Sequence, residues 1–279
     1  MDTYIIDSIR TPIGNFGGTL KDIRTDDLAA IPIRELIKRT KIEPSKIDDV
    51  ILGCANQAGE DNRNIARMAS LLAGVPFSVP GETINRLCAS GMSAIINAHR
   101  AINAGDGNLF IAGGIENMTR GPWVISKVSK AFGRDAQMFD SSFGWRFINP
   151  KMKELYGVDG MGTTAENLAE KYNISREDQD NFAYHSQLKA YKAQSSGRLS
   201  EEIVPVEIPQ RKKEPILFEH DEFIKGNTKV EVLAKLRTAF KKEDGTVTAG
   251  NSSGLNDGAA AMLLASENGV KENNLSPIA

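Results

Sequence analysis

Residues Asn85–Ala94 read NRLCASGMSA. The stretch GETINRL, beginning at Gly81, leads into it as a strand, and a helix from Cys88 to Ala104 leads out, ending at Gly105. The pattern predicts a strand–cysteine–helix elbow with Cys88 at the bend. On that helix Met92, Ile95, Ile96, His99 and Ile102 fall on or near one face. A helix N-terminus carries unpaired backbone N–H groups and about half a positive charge. Such a place stabilises a thiolate, and the same N–H groups can hold an oxyanion formed beside the sulfur. The small neighbours Ala89, Ser90 and Gly91 leave room for a bulky substrate, so the elbow suits acyl transfer. The competing reading is a cysteine that only packs, because free cysteine is among the most buried residue types. Cys54, in LGCAN, has the same strand-end placement and is read as packing.

No base is evident beside the thiol. His99 lies about three turns along the helix, roughly 16 Å away at 1.5 Å per residue. It is read as a core-edge residue. His185 falls in a helix and His220 in a charged loop, neither in a motif.

Around the elbow the chain alternates. TYIIDSI is strand-like. DDLAAIPIRELIKRT is helical, with Leu28, Ile31, Ile33, Leu36 and Ile37 near helical spacing. DDVILGC is a short buried strand, NIARMASLLAG a helix stopped by Gly74 and Pro76, and NLFIAGG another apolar strand. Strands separated by helices predict an α/β fold: a mixed, mostly parallel sheet with helices on both faces. From about Glu116 to Gly245 the text is more polar and irregular. It contains the helices TTAENLAEKY and REDQDNFAYHSQLKAYKAQSS, the second N-capped by Ser175, and a charged stretch, VEIPQRKKEPILFEHDEFIKG. TVTAGNSSGLNDGAAAMLLAS then returns to the first sheet, and the tail ENGVKENNLSPIA is polar. The expected organisation is an α/β domain from 1–117 and 246–267, an inserted loop domain from 118–245, and a linker from 268–279.

Composition narrows the function classes. The chain has 279 residues with 34 Lys+Arg and 36 Asp+Glu, a net charge of −2. That balance gives no electrostatic case for nucleic acid or an anionic membrane surface. No apolar run is long enough to span a bilayer, and the start, MDTYIIDSIR, is strand-like, not leader-like. Two cysteines and three histidines without a cluster fit a cytoplasmic protein without a metal site. TAGNSSGLNDGAAA, Thr248–Ala261, allows close backbone approach to a ligand. It equally fits a tight loop of Asx and Ser turns. It matches neither the Walker nor the GxGxxG pattern, which disfavours an NTP site and a dehydrogenase. Glycines and the Glu116–Asn117 pair in AGGIENM are read as structural.

SIRTPIGNFGG, QAGEDNRNIARMASLLAGVP, NRLCASGMSAI, AGGIENMT, YGVDGMGTTAENLAEKY, AKLRTAF and TVTAGNSSGLNDGAAA occur in this order across nearly the whole chain. In these stretches the chain resembles the N-terminal half and loop domain of thiolases, acetyl-CoA C-acyltransferases. The stretch from Gly121 to Met161 is most similar to that of 3-oxoadipyl-CoA thiolases of aromatic-compound degradation. A ketoacyl synthase-like condensing enzyme shares the elbow, but NRLCASGMSA and GNSSGLNDGAAA favour thiolase.

The resemblance implies ping-pong acyl transfer, with coenzyme A as substrate and no bound cofactor or metal. It runs as thiolytic cleavage or as the reverse Claisen condensation. Cys88 matches the acyl-accepting nucleophile. Met161 matches a residue lining the acyl pocket, Phe240 one beside bound CoA, and Ser253, in the loop Ala249–Gly254, one contacting the pantetheine arm. Lys225 falls where some relatives place an arginine near the adenine. The inserted region matches a loop domain that covers CoA and makes an oligomer contact, which implies a homo-oligomer, dimer or tetramer. Gly160, where some biosynthetic relatives have histidine, and Val232, where some have a CoA-contacting serine, weaken a simple acetoacetyl-CoA assignment and are compatible with a pocket for a longer or acidic acyl chain.

The family's NEAF-like, GHP and C-x-G motifs do not occur in these residues. The resemblance assigns to them the histidine that activates the nucleophile and the cysteine that protonates the enolate. The expectation is therefore a chain that holds the nucleophile without its base and acid, and keeps the fold and CoA affinity. General acid–base help commonly contributes about 10²–10⁴-fold. The purified 279-residue chain is thus expected to cleave acetoacetyl-CoA and 3-oxoadipyl-CoA far more slowly than complete thiolases. Comparable steady-state rates would contradict this.

Overall fold

In the computed structural model, which describes residues 2–279, alternation of apolar strands and amphipathic helices gives the expected layers. In chain order the elements are β1 (Thr3–Arg10), β2 (Gly14–Asn15), α1 (Thr25–Thr40), β3 (Asp49–Gly53), α2 (Ile65–Leu72), β4 (Gly81–Ile84), α3 (Ser90–Ala104) and β5 (Leu109–Asn117). There follow β6 (Trp123–Ile125), β7 (Met138–Asp140), α4 (Pro150–Tyr156), α5 (Met161–Tyr172) and α6 (Arg176–Ser195). The chain continues through β8 (Val206–Gln210), β9 (Lys213–Phe218), α7 (Val230–Leu233), β10 (Asn256–Ser266) and α8 (Glu267–Glu272). The chain divides into two units, residues 1–121, 200–222 and 256–279, and residues 122–199 and 223–255.

The first unit is built on a sheet in the order β1-β10-β5-β3-β4, with β2 also paired to β10. β3 runs parallel to β4 and β5, while β10 is antiparallel to both β1 and β5. The sheet is therefore mixed, with β10 as its reversed strand. Period-two alternation assigns the faces. Val50, Leu52, Ile111 and Leu263 pack with Leu28, Ile33 and Leu36 of α1 and Ile65 of α2. Ile51, Phe110, Ala112 and Leu264 pack on the other side with Ala94, Ala98 and Ile102 of α3.

That contact shifts the expected face of α3: Ile95 and Ile102 reach the core as expected, Met92 and His99 do not. Its buried residues are Ser90, Ser93, Ala94, Ala98 and Ile102. Met92 and His99 are exposed, so His99 is not at the core edge. The helix lies on the sheet through small side chains because the sheet beneath is cut down as well. A Cβ on Gly53 would lie 2.3 Å from the Ser90 carbonyl carbon and 2.4 Å from the Gly91 nitrogen. One on Gly114 would lie 3.4 Å from the Gly91 Cα. Larger residues at these positions would lift the N-terminus of α3 off β3 and β5.

The compact units have different boundaries from the expected ones. Residues 200–222 belong with the sheet because Arg10 fastens them to the end of β1. Its guanidinium donates to both Asp221 oxygens, at 2.8 and 3.0 Å, and to Glu202 at 2.8 Å. Val206, Ile208 and Phe218 join the core. Conversely, residues 246–255 belong to the second unit. The polar tail is not a bare linker: it forms α8, and Ile5 and residues 278–279 exchange backbone hydrogen bonds on β1.

The α1 end of the sheet is held by Glu60. Arg120 donates to it at 2.7 and 2.5 Å, Arg24 at 3.2 Å, and the Thr25 N–H, in the first turn of α1, at 3.0 Å. The Arg120 hydrogen bonds hold the Glu60 carboxyl below the usual range, against the opposing effect of burial.

In the second unit, β6 and β7 form a hairpin, and α5 and α6 supply the helices read from sequence. Ser175 caps α6, accepting from the Asp178 N–H at 3.0 Å. The β6–β7 hairpin and α4 have no clean sequence period. They carry exposed apolar side chains, including Trp123, Phe132 and Tyr156.

Two outcomes follow. Gly53→Ala is expected to destabilise the first unit by about 1–3 kcal/mol, the usual cost of forcing extra volume into a packed contact, seen as a lower midpoint in denaturant unfolding. For Glu60 the folded pKa lies below the unfolded one. Its contribution is therefore present above the ordinary glutamate pKa and disappears as pH falls through the folded value. Acid titration of stability should show a drop over that range which Glu60→Gln flattens.

Candidate active-site elbow and ligand loop

Cys88 sits where the sequence places it, in the turn between β4 and α3, two residues ahead of Ser90, the first residue of the helix. Its side chain is exposed. The bend requires a left-handed residue, and Leu87 supplies it at φ 50°. A non-glycine residue there is uncommon, so the surroundings must hold it. Asn85 Oδ1 accepts from the Leu87 N–H at 2.9 Å, while Asn85 Nδ2 donates to the Ala55 carbonyl at 2.9 Å. Ser90 Oγ donates to the Leu87 carbonyl at 2.6 Å and accepts from the Arg86 N–H at 2.8 Å.

Cys54, the second strand-end cysteine, has the opposite surroundings. It is buried in the α1–α2 side of the core, 1% exposed. Burial, together with the nearby Glu116 and Asp61 carboxylates, pushes its thiol up to about 12. A thiol so disfavoured as an anion is not a nucleophile near neutral pH. Cys54, Asp61 and Glu116 each bring a possible metal-ligand atom within 4.8 Å of the others. Both Glu116 oxygens already accept backbone N–H groups, from Ala55 at 2.9 Å and Asn56 at 3.2 Å. Asp61 Oδ1 accepts the Gly59 N–H at 2.8 Å.

The histidines are engaged elsewhere. His99 Nδ1 lies 2.8 Å from Thr3 Oγ1, the His185 ring lies tilted beside that of Tyr184 with centroids 5.3 Å apart, and His220 is 3.9 Å from Glu219.

The remaining sequence-assigned residues all lie in the second unit: Met161, Lys225, Phe240, Ala249, Ser253 and Gly254. The first five are exposed and Gly254 is partly so. They form two groups. Met161 opens α5, and its neighbour Gly162 lies so close to the Phe240 ring that a Cβ there would come within 2.3 Å of it. Gly254 lies against Phe223, where a Cβ would meet the ring at 2.6 Å, and the Lys225 Nζ stands 5.5 Å from the same ring's centroid.

The loop Ala249–Gly254 is braced by residues that sequence patterns do not single out. Glu166, buried on α5, accepts from the Thr246 N–H and Oγ1 and from the Val247 N–H, at 2.9–3.0 Å. Burial works against its charge, yet the Val247 and Thr246 hydrogen bonds prevail and hold the carboxyl below its ordinary range. Asn251 accepts from the Thr248 N–H at 2.7 Å and donates to Thr246 O and to buried Asp180 at 3.0 and 2.9 Å. Asp180 in turn receives Arg176 Nε at 2.8 Å. In the sequence Glu166 and Asp180 are one acid of two on α5 and one of three on α6, with nothing local to single them out. Gln187 fixes the Lys225 segment, accepting the Lys225 N–H at 2.8 Å and donating to Phe223 O at 3.4 Å.

Residues 3–268 match the family model of the thiolase N-terminal domain. The chain is 56% identical over 277 residues to the 3-oxoadipyl-CoA/3-oxo-5,6-dehydrosuberyl-CoA thiolase of Escherichia coli K12, covering 99% of this chain and 69% of that protein. Among solved structures, it superposes on the acetyl-CoA acetyltransferase of Bacillus anthracis with TM-score 0.86 at 41% identity, over 99% of this chain and 68% of that one. It superposes on human mitochondrial 3-ketoacyl-CoA thiolase in complex with CoA with TM-score 0.87 at 36% identity, over 99% and 67%. Between a thiolase and a ketoacyl synthase-like condensing enzyme, these similarities favour the first. The chain belongs to the thiolase family, acyltransferases that exchange an acyl group between a 3-oxoacyl-CoA and coenzyme A.

Proposed function

We propose that Cys88 is the acyl-accepting nucleophile of this thiolase and that its 3-oxoacyl-CoA carries a longer or acidic chain, of the 3-oxoadipyl type. One observation carries the first part: of two strand-end cysteines, Cys88 alone is exposed at a helix N-terminus, while Cys54 is buried among carboxylates. The Cys88 thiolate adds to the 3-keto carbon. The C2–C3 bond breaks, its electron pair leaves with acetyl-CoA as the enolate, and the enolate takes a proton. The sulfur keeps the acyl group as a thioester until the thiol of free CoA attacks the same carbonyl and Cys88 departs as thiolate. The Ser90 N–H already donates to Leu87 O at 3.0 Å; the next first-turn N–H groups of α3, those of Gly91 and Met92, lack intrahelical partners and suit the oxyanion formed in each addition.

The acyl chain is inferred from the thiolase of Escherichia coli K12 named for 3-oxoadipyl-CoA, together with Gly160 and Val232, where biosynthetic relatives differ. Met161 and Phe240 serve the acyl and CoA ends of one group, the Ala249–Gly254 loop with Ser253 takes the pantetheine arm, and Lys225 attracts the nucleotide. Coenzyme A acts as substrate, with no metal or resident cofactor in the reaction. The protein works in the cytoplasm as a homo-oligomer, without nucleic acid or membrane partners. No helix among the described residues is long and apolar enough to cross a membrane.

Incubation with acetyl-CoA followed by peptide mass mapping tests the assignment. An acyl adduct is expected on the Cys88 peptide and absent from Cys88→Ser, and iodoacetamide should modify Cys88 much faster than Cys54. An adduct that persists in Cys88→Ser, or equal alkylation of both thiols, would overturn it.

A further inference from the structure

We propose that Glu116 is a positioning residue for Cys88, acting through the Ala55–Asn56 backbone and the Asn85 side chain. The inference rests on Cys88 being the nucleophile. β3 and β4 pair as far as Gly53 and Ile84, and the Cys54 N–H adds one more bond to Ile84 O at 3.1 Å. Beyond that rung the ladder ends just before the elbow, and side chains take over. Glu116, one residue from the end of β5, accepts the two successive N–H groups of Ala55 and Asn56. It thereby fixes the turn that follows β3. The Ala55 carbonyl of that turn receives Asn85 Nδ2, and Asn85 Oδ1 receives the N–H of left-handed Leu87. Cys88 is the next residue.

The choice of side chain supports this role. The Ala55 and Asn56 N–H groups go to different oxygens, Oε2 and Oε1; a carboxamide in the same pose would turn its NH2, a donor, toward one of them. Glu116 bears a cost for being charged. Burial pushes its carboxyl up, the Ala55 and Asn56 N–H groups pull it back, and the nearby Asp61 opposes its charge. A neutral side chain would fill the same space without that desolvation cost. What the carboxylate adds is a rigid, two-pronged hold on the 55–56 backbone, and that backbone is where the elbow is tied down.

The test compares Cys88 alkylation by iodoacetamide at fixed pH in the 279-residue chain and its variants Glu116→Gln, Asn85→Ala and the double variant, followed by peptide mass. Misplacing a reacting group by about 1 Å can cost up to about 10²-fold, so each single change is expected to slow Cys88 alkylation roughly tenfold. Because both act through Ala55, the double variant should be no slower than the slower single. Ile102→Val, buried at the far end of α3, controls for general loosening and should leave the rate unchanged. Unchanged rates in Glu116→Gln and Asn85→Ala, additive losses, or an equal loss in Ile102→Val would each overturn the proposal. Should Glu116→Gln not fold, Asn85→Ala and Glu116→Asp decide, both being expected to slow the reaction. Wild-type Cys88 reacting no faster than Cys54 would instead remove the nucleophile assignment itself.

Discussion

The close approach of the α3 N-terminus to β3 and β5 is the contact on which the elbow depends. Gly53 and Gly114 strip the sheet surface to backbone at the point where Ser90 and Gly91 come down. Ala94 and Ala98 continue the small-residue contact along the helix. The burial of these side chains contributes little hydrophobic area. Its effect is geometric: it brings the helix start down to the carboxyl ends of the parallel strands, where a chain leaving β4 must turn sharply to enter α3. That turn needs a left-handed residue at Leu87, and the hydrogen bonds of Asn85 and Ser90 stabilise it. The thiol that follows is exposed, with the flanking stretch Asn85–Ala89 exposed as well and Ser90 buried as α3 begins.

Much of this was legible in the sequence. Strand–helix alternation, the N-cap at Ser175 and the elbow at Cys88 all depend on local pattern, and local pattern survives into the fold. Hydrophobic periodicity places Met92, Ile95, Ile96 and Ile102 on one face of α3; Ile95 and Ile102 do reach the core, but close packing selects Ser90, Ala94 and Ala98 in place of Met92 and Ile96. Residues 200–222 look like part of a charged insertion, but their membership of the first unit is decided by Arg10 reaching Glu202 and Asp221, about two hundred positions away. No window of sequence contains that pair. The same holds for the tail, whose polar composition says nothing of the three backbone hydrogen bonds it shares with Ile5.

In the second unit the residues proposed for ligand contact and the groups that hold them are separate. Residues assigned to ligand contact are exposed or partly so, whereas Glu166, Asp180 and Thr248 are buried beneath them. A loop of Gly, Asn and Ser has little intrinsic reason to keep one conformation, since glycine loses more backbone entropy on ordering than other residues. Two buried carboxylates, each satisfied by several donors, offset that entropy. Charge is suited to the task because an acceptor in a low-dielectric setting binds N–H groups more strongly than in water. The resemblance names the exposed residues; only the fold shows the acids that hold them.

The two cysteines show how small a sequence difference separates an exposed thiol from a buried one. Both follow a short parallel strand, and nothing in LGCAN or NRLCAS states which will act. Strand parity makes the difference for Cys54. Val50, Leu52 and Cys54 alternate onto the face covered by α1 and α2, while Gly53 faces α3. The position that would bring a side chain beside the helix start from β3 must therefore be glycine, and its neighbour is consigned to the core. From β4 the chain turns instead of continuing, so parity no longer applies and Cys88 leaves the sheet altogether. Glu116 belongs to both settings. Its charge helps keep the Cys54 thiol protonated, and its oxygens secure the turn to which the Cys88 elbow is tied. One carboxylate thus helps keep the buried thiol inert and ties down the elbow that presents the exposed one.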